Sequence, residues 1–181
     1  LKELSLKKSP ALIVALVASI AALVLSSVAI SVGFAASSSS EPARQITFTH
    51  GEIEPTMVTT VEAVSSSAPI GFQRFFQIPA TSPENGMLSG SLTVLAEDYP
   101  GVGQELRVSN LIFQFGSLAD QLVVGGVAAY EVANPTLGFD VVTTRPILGG
   151  TGTFAGATGE VDTTHNSDGT WTHVFRYEVG K

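Results

Sequence analysis

The chain has 181 residues, 44% hydrophobic and 14% charged, with a net charge of −7 and no cysteine. Disulfides, thiolate catalysis, cysteine-ligated metals and a lipid-modified cysteine are therefore excluded. The acidic balance makes nucleic acid a poor partner, because like charges repel.

The length suits one domain with a short appendage, and the appendage is N-terminal. Lys2, Lys7 and Lys8 precede an apolar run from residue 11 to 32, and the small residues Gly33, Ala35 and Ala36 come next. A basic start, an apolar stretch and a small-x-small exit mark a secretory signal, with cleavage expected after Ala35. The run is also close to the ~20 residues a membrane-spanning helix needs, so an uncleaved anchor is the alternative. Either way the rest of the chain is expected to be extracytoplasmic, secreted or in the cell envelope, and to meet membrane only through residues 1–35. Without them six basic residues face fifteen acidic ones, a net charge of −9. Residues 36–44 carry a run of four serines and read as a polar linker, leaving 45–181 as the folded domain.

From Gln45 onward the pattern is β almost throughout. Residues 45–50 and 57–64 alternate with period two, and 72–78 comes after them, with Pro79 expected to end it. Asn85-Gly86 signals a turn that opens 87–97, and Tyr99-Pro100-Gly101 closes it. Next come 105–115, 121–131 and 137–148, the last two separated by Asn134-Pro135. Residues 153–164 and 170–179 are joined by Asn166-Ser167-Asp168-Gly169. Eight or nine short strands without an amphipathic helix predict an all-β fold, an eight-stranded antiparallel barrel. At that strand number the interior is either filled by side chains or holds one small ligand. Residues 121–129 are apolar on both faces, which predicts an outer surface packed on another subunit.

The glycine-rich stretch 149–161, GGTGTFAGATGEV, needs its own account. A phosphate-binding loop requires a Lys after its last glycine and then a helix, yet no Lys occurs between Lys8 and Lys181. Residues 150–155 match the dinucleotide pattern G-x-G-x-x-A in form only, because residues 156–164 are poor helix formers. Gly149, Gly150, Gly152, Gly156 and Gly159 are better explained as corners and bulges of a β-structure, with Phe154 plugging one barrel end.

With those glycines, residues 145–161, RPILGGTGTFAGATGEV, resemble the signature strand pair of the allene oxide cyclase and dirigent superfamily. There a strand runs into a G-G-[ST]-G-x-[FY] motif, and a terminal hairpin comes after it. The ending, residues 168–177, is similar to the last strand of bacterial members. The resemblance is specific over 145–177 and loose over the remainder of 45–180. It implies an eight-stranded antiparallel barrel, commonly trimeric, with an apolar pocket in its lumen. It also implies chemistry without a metal or cofactor: a hydrophobic small molecule is held in one conformation while it cyclises, isomerises or couples stereoselectively. The family's catalytic residues cannot be carried over to this N-terminal half.

Strand alternation nominates the candidate residues. Trp171, His173, Phe175 and Tyr177 share one face of the last strand, expected to line the lumen and bind ligand. His173 is either a general acid or base, with its pKa near neutrality, or a buried neutral imidazole bonded to a neighbour. Arg74 shares a face with Phe72 and Phe76, also expected to line the lumen. Arg74 holds a substrate oxyanion or pairs with an acid such as Glu62 at a barrel mouth. Arg145 is a second candidate for that role, placed near the mouth by Pro146. Tyr130 and Asp140 are expected to meet as a surface pair, Glu160 to be exposed and His165 to lie in a water-facing turn. His50-Gly51-Glu52 has no partner spacing for a metal. Besides a steering barrel, two alternatives stand: a carrier of a hydrophobic ligand without chemistry, and an oligomeric scaffold of the envelope with a filled lumen.

Overall fold

The computed structural model describes residues 43–62, 70–132 and 136–180. The expected signal or anchor and nearly all of the linker lie outside them. Nine strands form one antiparallel sheet: β1 (Arg44–His50), β2 (Val58–Val61), β3 (Gln73–Ser82), β4 (Met87–Glu97), β5 (Gln104–Gln114), β6 (Gln121–Glu131), β7 (Val142–Thr151), β8 (Ala157–His165) and β9 (Trp171–Val179). Their order is β1-β9-β8-β7-β6-β5-β4-β3-β2, and an added β1–β3 pairing closes eight of them into a ring. The closure is short, Thr49 opposite Ser82 and His50 opposite Ala80. β2 covers the other half of the same β3 edge, from Val58 opposite Phe76 to Val61 opposite Gln73. This is the expected all-β barrel.

Pro79 does not end its strand. It stays in β3 opposite Met87 of β4. The N–H of Ala80 bonds toward β4, at Gly86 O, so the nitrogen of Pro79 points to the opposite edge. That edge is vacant there, between the last partner in β2 and the first in β1. No ladder bond is lost, which is where proline is tolerated in a strand.

Two other expected strands start later. Positive φ at Asp140 (58°) keeps the chain irregular before Val142, although Phe139 makes an isolated bridge to His165. After β7 a 3-10 turn at Gly152–Phe154 delays β8 to Ala157. The glycine stretch is therefore the β7–β8 corner, and it leads into a strand. At Gly159 (φ 148°) an added Cβ would run into the Arg176 carbonyl oxygen of β9. Only glycine lets the two strands approach there.

The lumen is layered along the barrel axis. At the end where β5, β7 and β9 finish, Phe48, Phe113, Phe115, Phe154 and Phe175 pack edge to face or tilted, with centroids 4.8–5.6 Å apart. Tyr177 joins through Phe154 at 5.7 Å. Aromatic pairs favour such edge geometries, and this plug fills its end of the barrel. Toward the other end the inward positions turn polar: His173 and Trp171 on β9, Thr163 and His165 on β8, Arg145 on β7, and Ser109, Arg107 and Glu105 on β5, all buried.

Candidate functional site

Between the plug and the opposite mouth lies a cavity of about 280 Å³, near the lower end of small-molecule sites. Its walls are mostly aliphatic and aromatic: Phe76 and Ile78 from β3, Leu88 and Leu92 from β4, Leu111 from β5 and Trp171 from β9. Ile53 and Pro55 border it from the β1–β2 connection, Val58 from β2 and Leu137 from the segment before β7. The polar groups that reach it are few: His50, Arg74, Tyr130, Thr136, Arg145, Thr163 and His173.

Two histidines form one polar wall. The His50 ring lies near-parallel to those of Trp171 (5.7 Å) and His173 (5.3 Å), which are themselves 6.5 Å apart, and His165 stacks on Trp171 at 4.2 Å. The Nδ1 of His50 lies 2.7 Å from Gly51 O. A carbonyl only accepts, so Nδ1 carries the proton and Nε2 presents a bare lone pair. The Nδ1 of His173 meets Thr163 Oγ1 at 3.0 Å, with either atom as donor. The Nε2 atoms of His50 and His173 are buried without a hydrogen-bond partner among the described residues. Burial lowers the pKa of His50 to about 4, partly offset by its bond to Gly51 and reinforced by His165. His173 falls well below its ordinary value through burial, then through His50 and Arg145. Both rings are neutral at pH 7, and an unsatisfied buried nitrogen is costly unless something bonds to it.

A cationic group lies near them. Arg107 is ion-paired with Glu105, its Nε 2.6 Å from Oε1, and lies 4.2 Å over the Tyr130 ring. Arg145 donates from Nη2 to Tyr130 Oη at 2.9 Å and from Nε to Ser109 Oγ at 3.2 Å. Arg74 borders the same cavity and lies 5.5 Å over the Phe72 ring. Burial, then the neighbouring Arg107, lowers the Arg74 pKa, while the group remains a cation.

Of the residues expected to line the lumen, Trp171, His173, Phe76, Arg74 and Arg145 border the cavity. Phe175 and Tyr177 face inward but belong to the plug beyond it, and Phe72 packs with Arg74 outside the lining. Arg145 is 2% exposed, a lumen residue rather than a rim one. Tyr130 is buried against two arginines and makes no surface pair; Asp140 instead accepts from Ser167 N at 3.1 Å. His165 is buried at the end of β8 with Nδ1 3.0 Å from Leu137 O, not in a water-facing turn. Glu160 is exposed. No group of three or more potential metal ligands occurs among the described residues. Sequence reasoning missed His50, Glu105, Arg107 and Tyr130. The signal for Glu105 and Arg107 was present as polar–apolar alternation over 105–109.

Neither known protein families nor curated proteins yield a match to this chain. Among solved structures 23 chains are similar. One is pyocyanin demethylase, with a TM-score of 0.56 and 13% identity over 74% of this chain and 99% of that one. At that identity the likeness is one of fold: a closed antiparallel β-barrel.

Proposed function

We propose that the barrel binds a hydrophobic small molecule in its lumen and steers that molecule's cyclisation, isomerisation or stereoselective coupling. The observation that carries this is the cavity: a mostly apolar chamber beside a solid aromatic plug, reached by a few oriented polar groups. Such a chamber holds a flexible substrate in one conformation, which favours one product through orientation rather than a reactive group of its own. In this scheme His173 and His50 move or hold protons, and Arg74 steers developing negative charge. The resemblance of residues 145–177 to the allene oxide cyclase and dirigent superfamily supports the same class of chemistry. The neighbour's name describes an enzyme acting on pyocyanin, consistent with a barrel of this fold working on a small molecule. The protein would act outside the cytoplasm, as a homodimer or trimer that covers outward Val127 and Leu148, both more than half exposed. A scaffold would require the lumen to be filled, so the open cavity favours a ligand. A carrier differs from a catalyst only in returning its ligand unchanged.

The test is native mass spectrometry of the whole chain against phenolics, oxylipins and polyenes, then product analysis of whichever class binds. Saturable binding that is lost in Trp171→Ala, with an altered product, supports steering. An unchanged ligand leaves a carrier. No binding by a folded oligomer refutes the proposal.

A further inference from the structure

The lumen holds more positive than negative charge. Three of the chain's five arginines, Arg74, Arg107 and Arg145, border or enter it, in a chain whose net charge is −7. Glu105 is the one buried carboxylate among the described residues, and it is committed to Arg107. Arg145 is 2% exposed, yet its hydrogen-bond partners among the described residues are two neutral hydroxyls, Tyr130 Oη and Ser109 Oγ. Among the described residues no carboxylate pairs with Arg145. A guanidinium cannot shed its proton to escape burial. A buried cation without a counter-charge is strongly unfavourable, and the two hydroxyls supply dipoles only. They do fix the fork through Nε and Nη2 at the cavity wall. A planar fork held this way is preorganised for an oxygen anion.

We infer that the ligand is a hydrophobic organic oxyanion, a carboxylate or a phenolate, whose charged oxygen docks on Arg145 beside Arg74 and whose apolar body lies along Leu92, Leu111 and Trp171. This rests on the small-molecule function proposed for the same cavity and names the ligand class. The cavity volume, about 280 Å³, accommodates a molecule of one or two rings.

Two probes test it on the whole chain. 2-Naphthoate and its neutral isostere 2-naphthamide are titrated calorimetrically at pH 7.5, against wild type and Arg145→Met. The acid is expected to bind about tenfold or more tighter than the amide, and the preference to collapse in Arg145→Met. Separately, the ionisation of 4-nitrophenol is monitored by its visible absorbance with wild-type protein. Docking on a cation is expected to lower its midpoint by about one pH unit. This arm needs no variant and decides the matter if Arg145→Met does not fold. Naphthoate preference alone identifies a carboxylate site, the nitrophenol shift alone a phenolate site, and both together a general oxyanion site. Equal binding of acid and amide with an unshifted nitrophenol overturns the inference while leaving a hydrophobic pocket. Failure of both naphthalenes and of nitrophenol to bind overturns the small-molecule proposal with it.

Discussion

Acid is expected to destabilise this barrel well before its carboxylates titrate. His50 is 1% exposed, and its pKa drops from 6.5 to about 4 in the folded protein, burial being the largest cause. The unfolded chain therefore binds a proton at His50 through a pH window in which the folded chain does not. Stability present above pH 6.5 is lost as pH falls toward 4. Linkage over that interval gives a loss of about 2 kcal/mol between pH 7 and pH 5 from His50 alone. His173 is displaced in the same direction and adds to the loss. The charges around the pair oppose protonation: His165 acts on His50, and Arg145 acts on His173. Asp120, held below its ordinary value chiefly by the Thr153 backbone N–H, and Asp168, held down chiefly by the Thr170 hydroxyl, lose their contribution only near or below pH 4. The interval from pH 7 to 5 thus isolates the histidines. The assay is urea unfolding at both pH values for wild type and His50→Phe, in which the ring remains able to stack on Trp171. Wild type should lose at least 2 kcal/mol, and His50→Phe about 2 kcal/mol less than wild type does. The comparison reads the pH dependence, so any change in absolute stability cancels. If variant and wild type lose the same amount, His50 is not held neutral by burial and its assignment as a buried lone-pair acceptor is wrong.

The β7–β8 corner separates two glycines. Gly159→Ala, whose Cβ would also lie 2.8 Å from Tyr177 Cα, should cost ~3 kcal/mol or more. Gly149→Ala, whose Cβ meets nothing within 4 Å but whose φ of 156° strains an L side chain, should cost about 1–2 kcal/mol; thermal melts compare the two. Arg107→Met strands a buried carboxylate at Glu105 and should lose ~3–5 kcal/mol, most of it regained when Glu105→Leu is added; chemical denaturation of the single and double variants measures this. Arg176→Ala removes a pair with Asp162 that is largely open to solvent, and the same denaturation should show at most about 1 kcal/mol.

The period-two pattern was enough to find the strands and the barrel, because every strand of the ring buries one face. It was not enough to say which face. On β5 the alternation is plain, and composition would place Leu106 and Val108 inside. The barrel instead turns Glu105, Arg107 and Ser109 inward and leaves the aliphatic residues on the outside. Register decides this: Leu111 and Phe113, farther along the same face, belong to the core and carry the polar residues in with them. The same dependence on distant partners hid His50. Nothing in its local sequence says that β1 closes the ring beside β9 and sets it against Trp171 and His173. Tyr130 was misjudged because the nearby turn suggested a hairpin, yet β6 and β7 are not paired there.

That missing pairing explains why the site sits where it does. The β6–β7 ladder runs from Gln121 opposite Thr151 to Val124 opposite Ile147, and then stops. The next residue of β7 is Pro146, which has no N–H to donate, and its ring stands against Gly126 of β6, 3.2 Å from where a Cβ would be. Beyond this point β6 pairs only with β5, and β7 only with β8. Arg145 is the first residue past the break. Its guanidinium reaches Tyr130 on β6 and Ser109 on β5, tying the two sides together by side chain where backbone bonds are absent. An aliphatic residue there would leave the seam unbridged. The break thus places a cation at the cavity wall, two strands from the neutral imidazole of His173. Thr163 on the strand between them hydrogen-bonds His173, and the apolar lining comes mainly from β3, β4 and β5. A molecule with one charged end and an apolar body fits that order, and a uniformly apolar one leaves Arg145 uncompensated.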